Sequence, residues 1–300
     1  MGGTLRADAQ RLAALLPHPA PEANKYTRGK LVLVGGAARY PGAALLAGMA
    51  AQRMGTGYVE AFCAPGVVPI LQAQRPSLVV RSWDELAVCE LRPAEGHPRA
   101  CLIGCGMDGA DEQQAELVRE VLSACRLPVV ADGGALGAIA CAKGRRICAA
   151  RAEKGLPIIV TPHQGEAARL ASAAALQVPR SFADAESQAA FARALAQAYH
   201  ATVLLKGPDS IVVPAPGCEA AAPAFLMDEG TPALAKAGTG DVLAGMVGAL
   251  AAQGLDAADA CLLASTLHAR AGRAAAERVG DISACAEDVL EAIPEAIGNL

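Results

Sequence analysis

Three hundred residues, 53% of them hydrophobic and 3% aromatic, allow one large α/β domain or two small ones with an ample core. With 26 basic against 30 acidic residues, the net charge of −4 leaves no basic surface suited to nucleic acid. No apolar run has membrane-spanning length, and residues 1–16 carry Arg6, Asp8 and Arg11 where a signal sequence would be apolar. The ten cysteines hold no Cys-x-x-Cys pair and no zinc-spaced cluster. The expectation is a soluble cytoplasmic protein with free thiols, whose partners include neither nucleic acid nor membrane.

In chain order, residues 4–16 have the spacing of a short amphipathic helix, ended by Pro17, Pro19 and Pro21. Leu31-Val32-Leu33-Val34 is continuously apolar and bounded by Gly35-Gly36, the pattern of a strand buried on both faces. A helix over 43–54 and a strand over 57–62 complete an opening βαβ unit. The alternation then predicts strands at 78–80, 100–103, 128–131, 157–161, 202–205 and 211–213, and helices at 67–73, 111–124, 163–173, 185–198, 239–252, 257–278 and 286–296. Strands separated by such helices make a mostly parallel sheet covered on both faces, with ligands outside the carboxyl ends of the strands. One exception is the Gly207-Pro208-Asp209-Ser210 link, short enough for a hairpin and hence an antiparallel edge. No linker divides the chain.

The chemistry is expected where strands or loops feed helices. Ala237-Gly238-Thr239-Gly240-Asp241 opens the helix at 239–252, and free N–H groups, the helix dipole and glycine together suit an anion. Asp241 reads either as a cap or as a general base beside a phosphate donor. The loop Gly35 to Ala43 has neither the Gly-x-Gly-x-x-Gly spacing of a dinucleotide fold nor the Gly-Lys-Ser/Thr end of a P-loop. Gly104 to Gly109 again puts glycines where a ligand can approach the backbone. Asp132 is open to two readings, a partner of Mg²⁺ waters or a turn residue. His163 and Glu166 stand at the mouth of the sheet, as site residues or as caps only. Lys206 is either a phosphate-facing cation or a solvated loop lysine. His268, in an apolar helix, reads as a packed core histidine or a site residue.

Taken in order, Lys25-Tyr26-Thr27-Arg28-Gly29-Lys30, Tyr40-Pro41-Gly42-Ala43, the 104–109 loop, Thr161-Pro162-His163 with Gly165-Glu166, Leu205-Lys206-Gly207 and the 237–245 stretch make a pattern. It resembles the ADP- or ATP-dependent NAD(P)H-hydrate dehydratase family, a branch of the ribokinase-like superfamily. The likeness covers roughly residues 25 to 296. It implies a three-layer α/β/α fold, with residues 1–24 as an N-terminal helix and proline-rich link before a single domain at 25–300. It also implies the reaction: hydrated NADH or NADPH is phosphorylated on its ring hydroxyl by ADP or ATP, and phosphate then leaves to restore the double bond.

By that resemblance Asp241 activates the hydroxyl, while Gly238, Thr239 and Gly240 hold the transferring phosphate. Ala43, Gly106 and His163 line the hydrate site, and Lys206, Gly207, Pro208, Asp209 and Ser210 hold the nucleotide together with Gly240. Mg²⁺ accompanies the phosphates, and the chain assembles as a homotetramer. No metal ligands are assigned. Three stretches depart from the family pattern. Asp132-Gly133-Gly134-Ala135-Leu136-Gly137 stands for Asp-Ala-Asp-Ala-Leu-Asn, Asp228-Glu229-Gly230 for an Asn-containing turn, and Asp209-Ser210 for a threonine-bearing end. The epimerase domain of some bacterial members is not expected in this chain. A small-alcohol kinase of the same superfamily and a catalytically silent nucleotide-binding module are the alternatives.

Overall fold

A computed structural model describes residues 4–182, 184–217 and 222–300, so Cys218 lies outside the described residues. The strands are β1 (Thr4–Leu5), β2 (Lys30–Val34), β3 (Tyr58–Cys63), β4 (Val79–Ser82), β5 (Arg99–Ile103), β6 (Val129–Ala131), β7 (Ile158–Val160), β8 (Thr202–Leu205), β9 (Ser210–Val213) and β10 (Ala224–Met227). They form one sheet in the order β1-β10-β9-β8-β7-β6-β5-β2-β3-β4. Neighbours pair parallel except at β8–β9 and β9–β10, so β9 alone among the described strands runs against the rest.

The helices are α1 (Ala9–Leu15), α2 (Pro41–Arg53), α3 (Val68–Gln74), α4 (Glu112–Ala124), α5 (Gly134–Ile139), α6 (Ala142–Ala152), α7 (Gln164–Ala173), α8 (Ala185–Tyr199), α9 (Thr239–Ala252), α10 (Ala257–Val279) and α11 (Ala286–Gly298). Side chains alternate across a strand, and that alternation builds two cores. Leu31 and Leu33 pack with residues of α1, α2, α3, α9, α10 and α11, whereas Val32 and Val34 pack with residues of α4 to α8. The result is the three-layer α/β/α arrangement, with the apolar run at 31–34 buried on both faces as its composition requires.

The hairpin falls where the Gly-Pro-Asp-Ser link predicts it, but the sheet continues past it through β10 and β1. Two-residue β1 is too short to carry a readable period, and β10, Ala-Phe-Leu-Met, is a short apolar run that periodicity does not tell from a helical segment. The helix expected from residue 4 starts at Ala9 instead, because Thr4 and Leu5 are drawn into register with Ala224 and Phe225. Helices α5 and α6 were also absent from the sequence pattern. The buried face of α6 is Gly144, Cys148 and Arg151, and the Arg151 guanidinium donates to the carbonyls of Leu122, Cys125, Leu127 and Pro157, so no apolar stripe marks it.

Small residues let α9 lie hard against α2. A Cβ on Gly245 would come 2.2 Å from the Ala47 carbonyl oxygen, a backbone atom that cannot swing away. Gly245→Val is therefore expected to cost about 2 kcal/mol or more through overpacking. Chemical denaturation checks this, and a loss under roughly 0.5 kcal/mol, the scale of an ordinary surface change, would mean that the helices part freely. The Lys25–Lys30 stretch sits at the opposite end of the strands from the loops at 104–109 and 206–210. There Gly29, at φ 91°, lies against the Ala252 carbonyl, and the Lys30 ammonium, 2.6 Å from carboxylates of both Glu60 and Glu90, ties the amino ends of β2 and β3 to the 88–91 turn.

Candidate active site

Gly238 caps α9 at φ 92°, and an added Cβ would meet Leu46 and Ala286 at under 3 Å, so glycine is required there on two counts. No side chain caps this helix start. The Thr239 N–H reaches back to the Lys236 carbonyl at 3.5 Å, which leaves those of Gly240 and Asp241 to a ligand, with the dipole behind them. The Thr239 hydroxyl fastens the approach loop, its one proton shared between the carbonyls of Leu234 and Lys236, each 2.8 Å from its oxygen. Asp241, third in the helix, does not cap it. Its carboxyl lies instead within 4.8 Å of both the Cys105 sulfur and the Asp132 carboxyl.

Burial, with the Asp132 charge adding to it, raises the Asp241 pKa to about 6, against the opposing pull of Lys206 and of a hydrogen bond from Cys105. Asp132 is itself buried, at the end of β6. It accepts from Lys206 Nζ and from the Thr161 hydroxyl, both at 2.7 Å. Burial alone would lower the Lys206 pKa, but the charges of Asp132 and of Glu166, 3.9 Å from Nζ, outweigh it and hold the ammonium protonated. Lys206 reaches the helix start as well, 3.6 Å from where a Gly240 Cβ would stand. The ammonium is therefore placed between a buried carboxylate and the first turn of α9.

Backbone pairing assembles these loops. The Lys206 N–H donates to the Pro162 carbonyl, while those of Gly36 and Ala37 donate to the carbonyls of Cys105 and Gly106. His163 and Glu166 do form a capping box on α7: the His163 ring accepts from the Gly165 N–H, and Glu166 accepts from the His163 N–H. The His163 side chain remains 58% exposed, however, and lines a cleft of about 680 Å³. Lys206, Gly207, Pro208, Ser210, Thr239 and Gly240 line the same cleft. Asp209, the remaining residue of the nucleotide set, is exposed at the hairpin tip and is not among the walls of this cleft. Ala43 and Gly106 lie together; a Gly106 Cβ would come 2.9 Å from that of Ala43. A second cleft, about 890 Å³, runs past Asp108, Gly134, Gly137, Glu166 and Arg169.

Sequence reasoning missed Cys105 as the partner of Asp241, Thr161 as the partner of Asp132, and Ser265 and Met227 as cleft walls. Only the i,i+3 pair Ser265 and His268 carried a signal, two polar residues on one face of an apolar helix.

A family model described as NAD(P)H-hydrate dehydratase matches residues 31–295. The ADP-dependent (S)-NAD(P)H-hydrate dehydratase of Xanthomonas campestris pv. campestris is 33% identical over 291 residues, 95% of this chain and 93% of that protein. The chain belongs to the NAD(P)H-hydrate dehydratase family. The bifunctional NAD(P)H-hydrate repair enzyme of Moorella thermoacetica is 31% identical over 95% of the chain, which spans 52% of that longer relative. The ADP/ATP-dependent NAD(P)H-hydrate dehydratase of Bacillus subtilis, co-crystallized with ATP/Mg²⁺, superposes with a TM-score of 0.78 at 25% identity, covering 99% of this chain and 98% of that one.

Within this family member the departing loops have structural explanations. Backbone fills the space at Gly134 and Gly137: their Cβ atoms would come 2.4 Å from the Met107 carbonyl and 3.0 Å from the Gly109 Cα. In the 228–230 turn, Asp228 pairs with Arg6, Glu229 takes a two-pronged bond from Arg270, and Gly230 lies against the Pro208 carbonyl. The donors grouped at 105, 132 and 241 are not a cage for Mg²⁺, which takes oxygen ligands in an octahedron. Burial keeps the Cys105 thiol protonated, and Lys206 already neutralises Asp132. The two carboxylates suit a hydrated ion held mainly by phosphate oxygens.

Proposed function

We propose that this chain returns hydrated NADH or NADPH to the reduced dinucleotide, consuming ADP or ATP and releasing phosphate with AMP or ADP. The observation that carries the reading is Asp241, a carboxyl with its pKa raised to about 6, beside an uncapped helix start and a half-buried lysine. The ring hydroxyl gives its proton to Asp241 as its oxygen attacks the terminal phosphorus, and the bond from that phosphorus to the donor's bridging oxygen breaks. First-turn amides of α9 and the Lys206 ammonium take up the charge on the moving phosphoryl group. The ring nitrogen lone pair then expels phosphate, and loss of a neighbouring C–H proton restores the double bond. Poor-leaving hydroxide has become good-leaving phosphate.

Two nucleotide-sized reactants need two clefts. The donor is assigned to the 680 Å³ cleft, and the remote half of the hydrate to the 890 Å³ one beyond Ala43 and Gly106. Asp132 and Asp241 are the residues available, through water, to an Mg²⁺ arriving with the nucleotide, where it would neutralise phosphate charge. The reading includes a reducing compartment, the cytoplasm, consistent with the nine free cysteines among the described residues, and a homotetramer, which light scattering tests. No helix of the described residues is long and apolar enough to cross a membrane.

Incubation with NADH hydrate and each nucleotide, following reduced-nicotinamide absorbance and free phosphate, tests the function. A stable phosphorylated alcohol with no free phosphate would identify a kinase instead. The acid limb of kcat/KM is expected near pH 6, since that ratio reports the free protein and Asp241 must be ionised to accept the proton. The sign for stability is opposite. The folded pKa lies above the ordinary 3.8, so the folded state binds the extra proton and stability falls as pH rises from about 4 through 6. An activity profile flat between pH 5 and 8 would remove Asp241 as the titrating base.

A further inference from the structure

Ser265 and His268 lie one turn apart on α10, and both line the 680 Å³ cleft. His268 is only 7% exposed, and its Nε2 is fully buried with no hydrogen-bond partner. An unpaired buried nitrogen is costly, so a ligand that supplies the missing partner is favoured. We propose that His268 is a nucleotide-binding residue whose Nε2 hydrogen-bonds the nucleoside part, base or ribose, of the donor. This rests on the cleft's being the donor site.

The nucleoside, not the phosphates, is the partner for two reasons. The phosphates already have the Lys206 ammonium and the α9 amides. Burial, with the Lys206 charge adding to it, holds the imidazole neutral, its pKa lowered to about 4 although the Thr239 backbone favours the charged form, so it has no charge to offer an anion. The cleft walls include apolar Met227, Pro232, Leu234 and Leu243, suited to the faces of a flat ring. A neutral imidazole then supplies one directional hydrogen bond beside those apolar walls.

Calorimetric titration of the parent, His268→Leu and His268→Gln with ADP, AMP and inorganic pyrophosphate tests this. For His268→Leu, ADP and AMP should bind tenfold or more weakly and pyrophosphate within twofold of the parent. His268→Gln should recover part of the affinity, and it reads the same contrast should the leucine prove disruptive. Parent-like ADP binding in both variants, or an equal loss for pyrophosphate, overturns the proposal. A parent that binds neither ADP nor AMP overturns the donor-site reading itself, an outcome separate from the other two.

Discussion

Asp241→Asn lowers turnover on the order of a hundredfold or more, the scale of a positioned acid/base group, while ADP affinity stays within a few-fold. The amide keeps the size of the carboxyl but cannot accept the hydroxyl proton. It also removes a charge that burial and Asp132 both disfavour, so the variant protein is expected to be at least as stable as the parent near pH 7. Rapid-quench turnover, ADP titration and thermal melting on one preparation separate these effects. Turnover within a few-fold of the parent would end the role for Asp241. Equal loss of turnover and ADP affinity would make it a binding group instead.

Lys206→Met has the larger effect on the fold. The substitution leaves Asp132, whose side chain is 5% exposed, with only the Thr161 hydroxyl. Removing one partner of a buried pair costs about 3–5 kcal/mol because the remaining charge is uncompensated. The same change strips the donor phosphates of a cation and the Asp241 carboxyl of the charge that holds its pKa down. Accordingly KM for ADP should rise and the acid limb of kcat/KM should move above pH 6. Adding Asp132→Asn should recover most of the stability without recovering the nucleotide affinity. A Lys206→Met protein as stable as the parent, with an unchanged KM for ADP, would contradict both assignments.

Residue pattern alone determined the parts whose physics is local. The continuous apolar run at 31–34 fixes a strand buried on both faces, and Gly238 before a helical stretch fixes a helix start without a side-chain cap, because both depend on backbone dihedrals and near neighbours. Lys206 and Asp132 meet across 74 residues of sequence, and the strand-to-loop geometry that joins them is written in no window of the chain. The cap reading of Asp241 was set aside only by packing: its carboxyl lies beside Cys105, just past the end of β5, and Gly238 takes the capping position. Likewise a histidine on an apolar helix face is ambiguous until the neighbouring elements are in place. Only the tertiary structure decided that His268 Nε2 is buried and unpartnered on a cleft wall, because burial and hydrogen-bond satisfaction are properties of what surrounds an atom rather than of the residue that carries it.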